Sequence, residues 1–226
     1  MKFSDSHWNE LEDFLSGLGY RGSVLGVPQF RADCERFLAL LLEKNTQLNL
    51  TAVRDPEVAF WKHLADSLAL LAWEPLGKVV DWGSGGGLPG IPLALARRHS
   101  GSEDPVIFVD SVGKKMRAIE EFGTGLELSR SSYLVGRGED LIRAGALSGV
   151  ETIMMRAVAP PEKALKWLSP KIPHWVYLLG PSQRALWDEA LPQVRGRGFE
   201  ISKEQAFTLP KALGDRLLMR ISIRST

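Results

Sequence analysis

The stretch Lys78-Val-Val-Asp81-Trp-Gly83-Ser-Gly85-Gly-Gly87-Leu88-Pro89-Gly-Ile-Pro-Leu decides the fold. A short apolar run, Val79 and Val80, ends at an acid, crosses a glycine loop and re-emerges as a helix. Glycines there permit positive φ and let the backbone approach a ligand closely, and Pro89 suits a first helical turn, where its missing N–H costs nothing. The pattern is that of a nucleotide-binding turn; a glycine-rich turn with no ligand is the competing reading.

Gly85, Gly87 and Gly90 match the G-x-G-x-x-G dinucleotide spacing, so spacing alone does not separate the candidate nucleotides. Asp81 does. A dehydrogenase strand runs apolar into its loop, whereas an acid two residues before the first glycine is the pattern of S-adenosylmethionine enzymes.

A chain of 226 residues fits one α/β domain with an N-terminal extension, and the boundary is expected between residues 1–76, a helical cap, and residues 77–226, a compact core. The 28 Lys+Arg and 27 Asp+Glu nearly cancel, at a formal net charge of +1. Their distribution is uneven. Residues 1–76 hold 7 basic and 11 acidic side chains, and residues 77–226 hold 21 and 16, so the core is the basic part and suits an anionic substrate. The single cysteine, Cys34, can form no intrachain disulfide, and no metal-ligating cluster is expected. The first ten residues lack a basic region followed by an apolar core, and no stretch approaches the ~18–20 apolar residues of a membrane span. These features predict a cytoplasmic protein with no membrane partner.

Residues 5–18 and 29–48 carry apolar side chains at helical spacing, and Asp55-Pro56 starts a further helix as N-cap and first-turn proline. On it Trp61, Leu64, Ala65, Leu68 and Leu71 form an apolar stripe, with Lys62, His63, Asp66 and Ser67 on the opposite, polar side. From Lys78 onward, strand-like runs at 78–82, 105–110, 132–135, 151–155 and 174–179 alternate with helical patterns near 89–98, 113–126, 138–144, 160–168 and 182–191. Such alternation means a mostly parallel sheet with helices on both faces. Phe199–Phe207 and Leu217–Ile223 then follow each other without a helix, which predicts an antiparallel final strand.

Asp110 ends the second strand, where an acid can accept hydrogen bonds from both ribose hydroxyls; a plain surface acid is the alternative. The third strand leads into Gly136-Arg137-Gly138-Glu139, which places Gly138 and Glu139 beside an adenine, unless they merely decorate a helix start. Arg156 follows the fourth strand at the carboxyl end of the sheet, a position suited to an anion or to a helix-start salt bridge. No [Asn/Asp]-Pro-Pro-[Tyr/Phe] follows that strand and no Pro-Cys occurs, so exocyclic amines and pyrimidine carbons are poor methyl acceptors here.

The chain resembles the RsmG (GidB) family of bacterial 16S ribosomal RNA guanine-N7 methyltransferases. The resemblance rests on Asn49-Leu-Thr-Ala-Val-Arg54-Asp55-Pro, His63-Leu-Ala-Asp66-Ser67-Leu, the Asp81 glycine loop with Gly-Leu-Pro-Gly-Ile-Pro, Asp110-Ser111-x-x-Lys114-Lys115, Gly138-Glu139 and Arg156-Ala-Val-Ala, spanning about residues 45–160. It implies a class I S-adenosylmethionine-dependent methyltransferase fold, Rossmann-like with an N-terminal helical extension. S-adenosyl-L-methionine is the implied cofactor, and small-subunit ribosomal RNA, free or in the assembled subunit, the implied partner of a monomeric enzyme. Gly83, Leu88, Asp110 and Ser111 are implied to line the cofactor site together with Gly138, Glu139 and Arg156, beside Gly85 of the loop. Arg137, Arg156 and Arg216 are implied cations facing cofactor or RNA; Arg54, His63, Lys114 and Lys115 are further candidate substrate contacts.

The chain departs from the family pattern at Trp82, where a small aliphatic is usual, at Glu151, and at Leu179-Gly180, where Lys-Gly is typical. If that lysine contacts RNA, this chain either uses another cation, such as Lys171 or Arg184, or binds its substrate more weakly. Guanine N7 carries an in-plane lone pair and no proton, so attack on a sulfonium methyl needs no general base and no catalytic side chain is expected; the protein aligns the reactants. A small-molecule methyltransferase, an NAD-dependent oxidoreductase and a non-catalytic RNA-binding module are the rival readings.

Overall fold

The computed structural model describes every residue except Pro75, Ala157, Val158, Pro181, Ser225 and Thr226. Its centre is a seven-stranded sheet of order β3-β2-β1-β4-β5-β7-β6. β1 (Val79–Trp82), β2 (Val106–Asp110), β3 (Ser131–Val135), β4 (Thr152–Arg156) and β5 (His174–Leu179) run parallel. β6 (Phe199–Thr208) and β7 (Asp215–Ile223) form a hairpin whose second strand enters the sheet antiparallel to β5. The strands begin and end within two residues of the runs read from the sequence. β1 reverses the strand order, since β2 lies on one side of it and β4 on the other. Open α/β sheets keep ligands above such a point, outside the carboxyl ends of the strands.

Connections between parallel strands are right-handed, which sends the helices to both faces. α5 (Gly90–Ser100) and α6 (Gly113–Gly125) cover one face; α7 (Gly138–Arg143), α8 (Pro161–Trp167) and α9 (Gln183–Gly196) cover the other. α9 runs five residues beyond its expected end and passes through Pro192, because Ala190 and Val194 continue its buried stripe. Pro89 stands just before α5 rather than inside its first turn.

The N-terminal helices α1 (Asp5–Gly17) and α2 (Pro28–Leu48) pack on the α5–α6 layer. One apolar cluster joins Trp8 and Phe37 from these helices to Phe108 of β2, Met154 of β4 and Leu218 of β7. The expected helix after Asp55 is broken into pieces. Asp55 Oδ1 accepts the Val58 N–H at 2.9 Å and starts α3 (Pro56–Ala59), which continues through a π-helical turn, Phe60–Ala65, into α4 (Asp66–Leu68) and a 3₁₀ turn, Ala69–Trp73. The π turn widens the helix by one residue and shifts which side chains share a face. His63, Asp66 and Ser67, expected on a polar outer side, are buried instead, at 5%, 3% and 0% exposure. Arg156 of β4 and Arg216 of β7 meet Asp66, and Arg156 also meets His63.

Candidate cofactor cleft and its basic rim

The loop after β1 is tied down from both sides. Asp81 is buried beneath it, and its Oδ2 accepts the N–H of Gly90 at the start of α5, 3.1 Å away. Burial pushes the Asp81 carboxyl up to about 7, against the stabilising pull of that N–H. Asp81 therefore anchors the loop to α5 rather than presenting its carboxylate to the cleft. Ser84 Oγ donates to the Asp81 carbonyl at 2.8 Å and accepts from the Val109 N–H at 3.1 Å, stitching the loop to β2.

Above the loop, Gly85 adopts φ +56°, in the left-handed region that only glycine enters at little cost, and so aims its N–H at Asp110 Oδ2, 3.0 Å away. The other Asp110 oxygen accepts the Val112 N–H at 2.8 Å. A carboxylate oxygen accepts more than one hydrogen bond, so both oxygens keep capacity for ligand hydroxyls. Asp110, Ser111, Gly138 and Glu139 line a cleft of about 380 Å³ at the carboxyl end of β1, β2 and β3, and Gly83 and Gly85 line it from the loop. Trp82 and Trp167 supply its aromatic wall, while Lys115 and Arg137 stand at its edge. An adenosine moiety fits this donor set: acids for ribose hydroxyls, flat apolar surface for a purine, and glycines where backbone must come close.

Two expected cofactor contacts lie elsewhere. Leu88 belongs to the apolar cluster on the α5 face, at 7% exposure, because the loop turns it towards the N-terminal helices. Arg156 reaches sideways from the end of β4. Its Nη1 donates to the Lys62 carbonyl at 2.8 Å and to Asp66 Oδ2 at 3.0 Å, and its Nη2 to His63 Nδ1 at 3.2 Å. The other Asp66 oxygen lies 3.2 Å from Arg216 Nε. Arg156 and Arg216, expected to face cofactor or RNA, are thus turned inward onto one carboxylate. Burial raises the Asp66 pKa, and the two guanidiniums oppose the rise. Ala157 and Val158, which follow Arg156 in the matching segment, lie outside the described residues.

His63 does not project outward either. Its Nε2 is 2.7 Å from Thr51 Oγ1, and since Nδ1 accepts from Arg156, the proton sits on Nε2 and is donated to Thr51. Burial first, and the neighbouring Arg156 charge second, lower its pKa to about 4. The ring is neutral at physiological pH. It holds the loop that carries Arg54, because Thr51 also accepts the Val53 N–H at 3.1 Å and donates its own N–H to Asn45 Oδ1 at 2.8 Å.

Arg54, Lys114 and Arg137 are exposed and Lys115 half-exposed; among the described residues none of the four is in an ion pair. Arg184, a candidate substitute for the family lysine, is engaged by Asp188 at 3.0 Å and Glu204 at 2.8 Å, whereas Lys171 is exposed. Sequence reasoning missed the depth of Asp66 and the presence of Trp167. The first had a signal in the His63–Asp66 spacing of three; the second had none.

Comparison with known proteins gives these positions a context. The model of the GidB family, rRNA small subunit methyltransferase G, matches residues 31–190. Ribosomal RNA small subunit methyltransferase G of Pseudomonas fluorescens (strain Pf0-1) is 34% identical over 188 residues, covering 81% of each chain. The protein of the same name from Legionella pneumophila subsp. pneumophila is 38% identical over 147 residues, 63% of this chain and 67% of its own. Among solved structures the METTL16 MTase domain superposes with a TM-score of 0.56 at 12% identity, over 84% of this chain and 80% of its own. M. capricolum TrmK in complex with S-adenosyl-homocysteine gives 0.52 at 12% identity, over 66% and 63%. These structures show the fold alone, that of class I S-adenosylmethionine-dependent methyltransferases, and the sequence matches show the family: the chain belongs to the GidB family, rRNA small subunit methyltransferase G.

Proposed function

We propose that the protein transfers a methyl group from S-adenosyl-L-methionine to N7 of a guanine in small-subunit ribosomal RNA. The observation that carries this reading is the cleft at the β1 switch point, where Asp110, Ser111, Gly138 and Glu139 converge beside Lys115 and Arg137. In it the cofactor supplies the electrophilic methyl group. Gly83, Gly85 and Asp110 hold its nucleoside side, and Gly138 and Glu139 flank the purine. Lys114, Lys115, Arg137 and Arg54 bind RNA phosphates. An arginine forked onto O6 and N7, the usual guanine contact, would block the nucleophile, so these cations hold phosphate or O6 only.

A base-free transfer agrees with the chemistry of the site. His63 is occupied on both ring nitrogens, and N7 has no proton to give up. Alignment of the two reactants remains, an effect worth about 7–11 kcal/mol in well-oriented systems. We read residues 1–76 as a helical extension that docks the substrate and residues 77–226 as the catalytic core of a monomer working in the cytoplasm.

The deciding experiment incubates the protein with methyl-labelled S-adenosylmethionine and either free small-subunit ribosomal RNA or assembled small subunits, then maps N7-methylguanosine by chain cleavage. Label in one guanine supports the proposal. Label confined to a small-molecule acceptor points to the rival methyltransferase, and binding of NADH in place of S-adenosylhomocysteine to the oxidoreductase.

A further inference from the structure

Trp82, Trp167 and Trp175 form a row of indoles on the α7–α8 face of the sheet. Trp82 lies 5.5 Å from Trp167 and 5.9 Å from Trp175, ring centroid to ring centroid. Trp175 is fully buried and Trp82 nearly so, while Trp167, the last residue of α8, is only half-buried and lines the same cleft as Asp110 and Glu139. The row starts in the core and ends in the cleft. A large indole left partly wet beside convergent polar groups gains by covering its face with something flat.

The Trp82 ring lies against Gly138, and any side chain at that position would run into it. The first turn of α7 is thereby held down on the Trp82 indole, and Glu139, Trp167 and Asp110 line the same cleft. We propose that Trp167 is the stacking surface for the adenine of the cofactor, with Trp82 fixing its position from behind. This rests on the cofactor reading above and assigns the purine contact to α8. It also gives Trp82 a role: its ring fills the space beside Gly138 and buttresses Trp167.

Titration calorimetry of S-adenosylhomocysteine into the wild-type protein, Trp167→Ala and Trp167→Phe tests this. Loss of one base–aromatic stack is expected to weaken binding to Trp167→Ala about tenfold or more, with Trp167→Phe within about threefold of wild type. The KM for S-adenosylmethionine should rise in the alanine variant while that for RNA stays put, a split that mere loosening of α8 would not give. Should Trp167→Ala fail to fold, the change in tryptophan emission on adding S-adenosylhomocysteine is compared between wild type and Trp167→Phe. A smaller change in the variant supports the stack. Wild-type affinity in the alanine variant, or an equal emission change in the phenylalanine variant, overturns the role of Trp167 and leaves the cofactor reading intact. A wild-type protein that binds no S-adenosylhomocysteine overturns both.

Discussion

The Asp66 carboxylate and the Arg156 guanidinium, 90 residues apart in the chain, meet at 3.0 Å and join the N-terminal helical layer to the carboxyl end of β4. Both side chains are largely buried, and Arg216 shares the same carboxylate. Removing one partner of a buried pair strands the other without water, a loss of about 3–5 kcal/mol. Arg156→Ala is expected to lower the unfolding free energy by up to that order in urea denaturation, because the Lys62 carbonyl and His63 Nδ1 lose their donor together with Asp66, and Arg216→Ala by less, since its contact with Asp66 is the weaker of the two. An Arg156→Ala protein with wild-type stability and poor cofactor affinity would return this residue to the cofactor site.

Gly138 is glycine because the Trp82 ring occupies the space of a side chain there. Forcing a methyl group into that contact costs about 1–3 kcal/mol, unless the ring is shortened as well. Gly138→Ala is therefore expected to destabilise the protein and weaken S-adenosylhomocysteine binding, and to do so less in a Trp82→Val background. A double-mutant cycle on thermal or urea unfolding measures the coupling. Full additivity would mean that the two residues do not meet.

Asp110 bridges the glycine loop and the segment after β2 through the Gly85 and Val112 N–H groups. In Asp110→Ala those donors and any bound hydroxyls lose their acceptor, so calorimetric affinity for S-adenosylhomocysteine is expected to drop by about 1–3 kcal/mol. Gly83→Val is expected to abolish binding while unfolding stays cooperative, since Gly83 has φ +74°, strained for a branched residue, and lines the cleft. Unchanged affinity in both variants would remove the cofactor from this cleft.

The sheet and the cleft were legible because their signals are local. Apolar runs of strand length, a glycine loop after an acid, and two strand-like runs with no helix between them lead directly to β1, its loop and the β6–β7 hairpin. Gly83, Gly85, Asp110, Ser111, Gly138 and Glu139 come together because each stands at a strand end, and strand ends of a parallel sheet share one rim. The joining of His63, Asp66, Arg156 and Arg216 in one buried cluster was not legible, because helical periodicity separates polar from apolar sides without saying what the polar side faces. Here it faces two guanidiniums delivered from β4 and β7. Trp167 escaped for a simpler reason: α8 has seven residues, too few for a pattern to show which way its last side chain points.

RNA binding is expected to weaken with salt, since each neutralised phosphate adds about 0.7–0.9 to the log–log slope. Lys115→Ala and Arg137→Ala should each weaken binding and flatten that slope by about one unit. Arg216→Ala should leave the slope unchanged, because its guanidinium already belongs to Asp66. Filter binding of small-subunit ribosomal RNA across a range of potassium chloride concentrations separates the two behaviours. A slope that falls equally for Arg216→Ala would show that this side chain swings out to meet RNA.

The last prediction concerns pH. His63 has a folded pKa near 4, below its ordinary value of 6.5, so the unfolded chain takes up a proton between these values while the folded one does not. Stability from this residue is complete above about pH 6.5 and is lost as the pH falls towards 4. Asp81, raised to about 7, acts oppositely, and its contribution falls as the pH rises through the same range. Wild type and His63→Gln are therefore compared by urea unfolding at pH 5 and pH 8, where the variant should lose less stability on acidification than wild type. Chemistry should not follow this titration. With N7 unprotonated and His63 neutral throughout, single-turnover methyl transfer at saturating cofactor is expected to be nearly flat from about pH 6 to 9. His63→Ala should loosen the Thr51–Arg54 segment and Arg156, lowering stability and RNA affinity together. If instead that variant binds RNA and cofactor normally and transfers methyl about a hundredfold more slowly, the scale of a lost general base, the base-free mechanism is wrong.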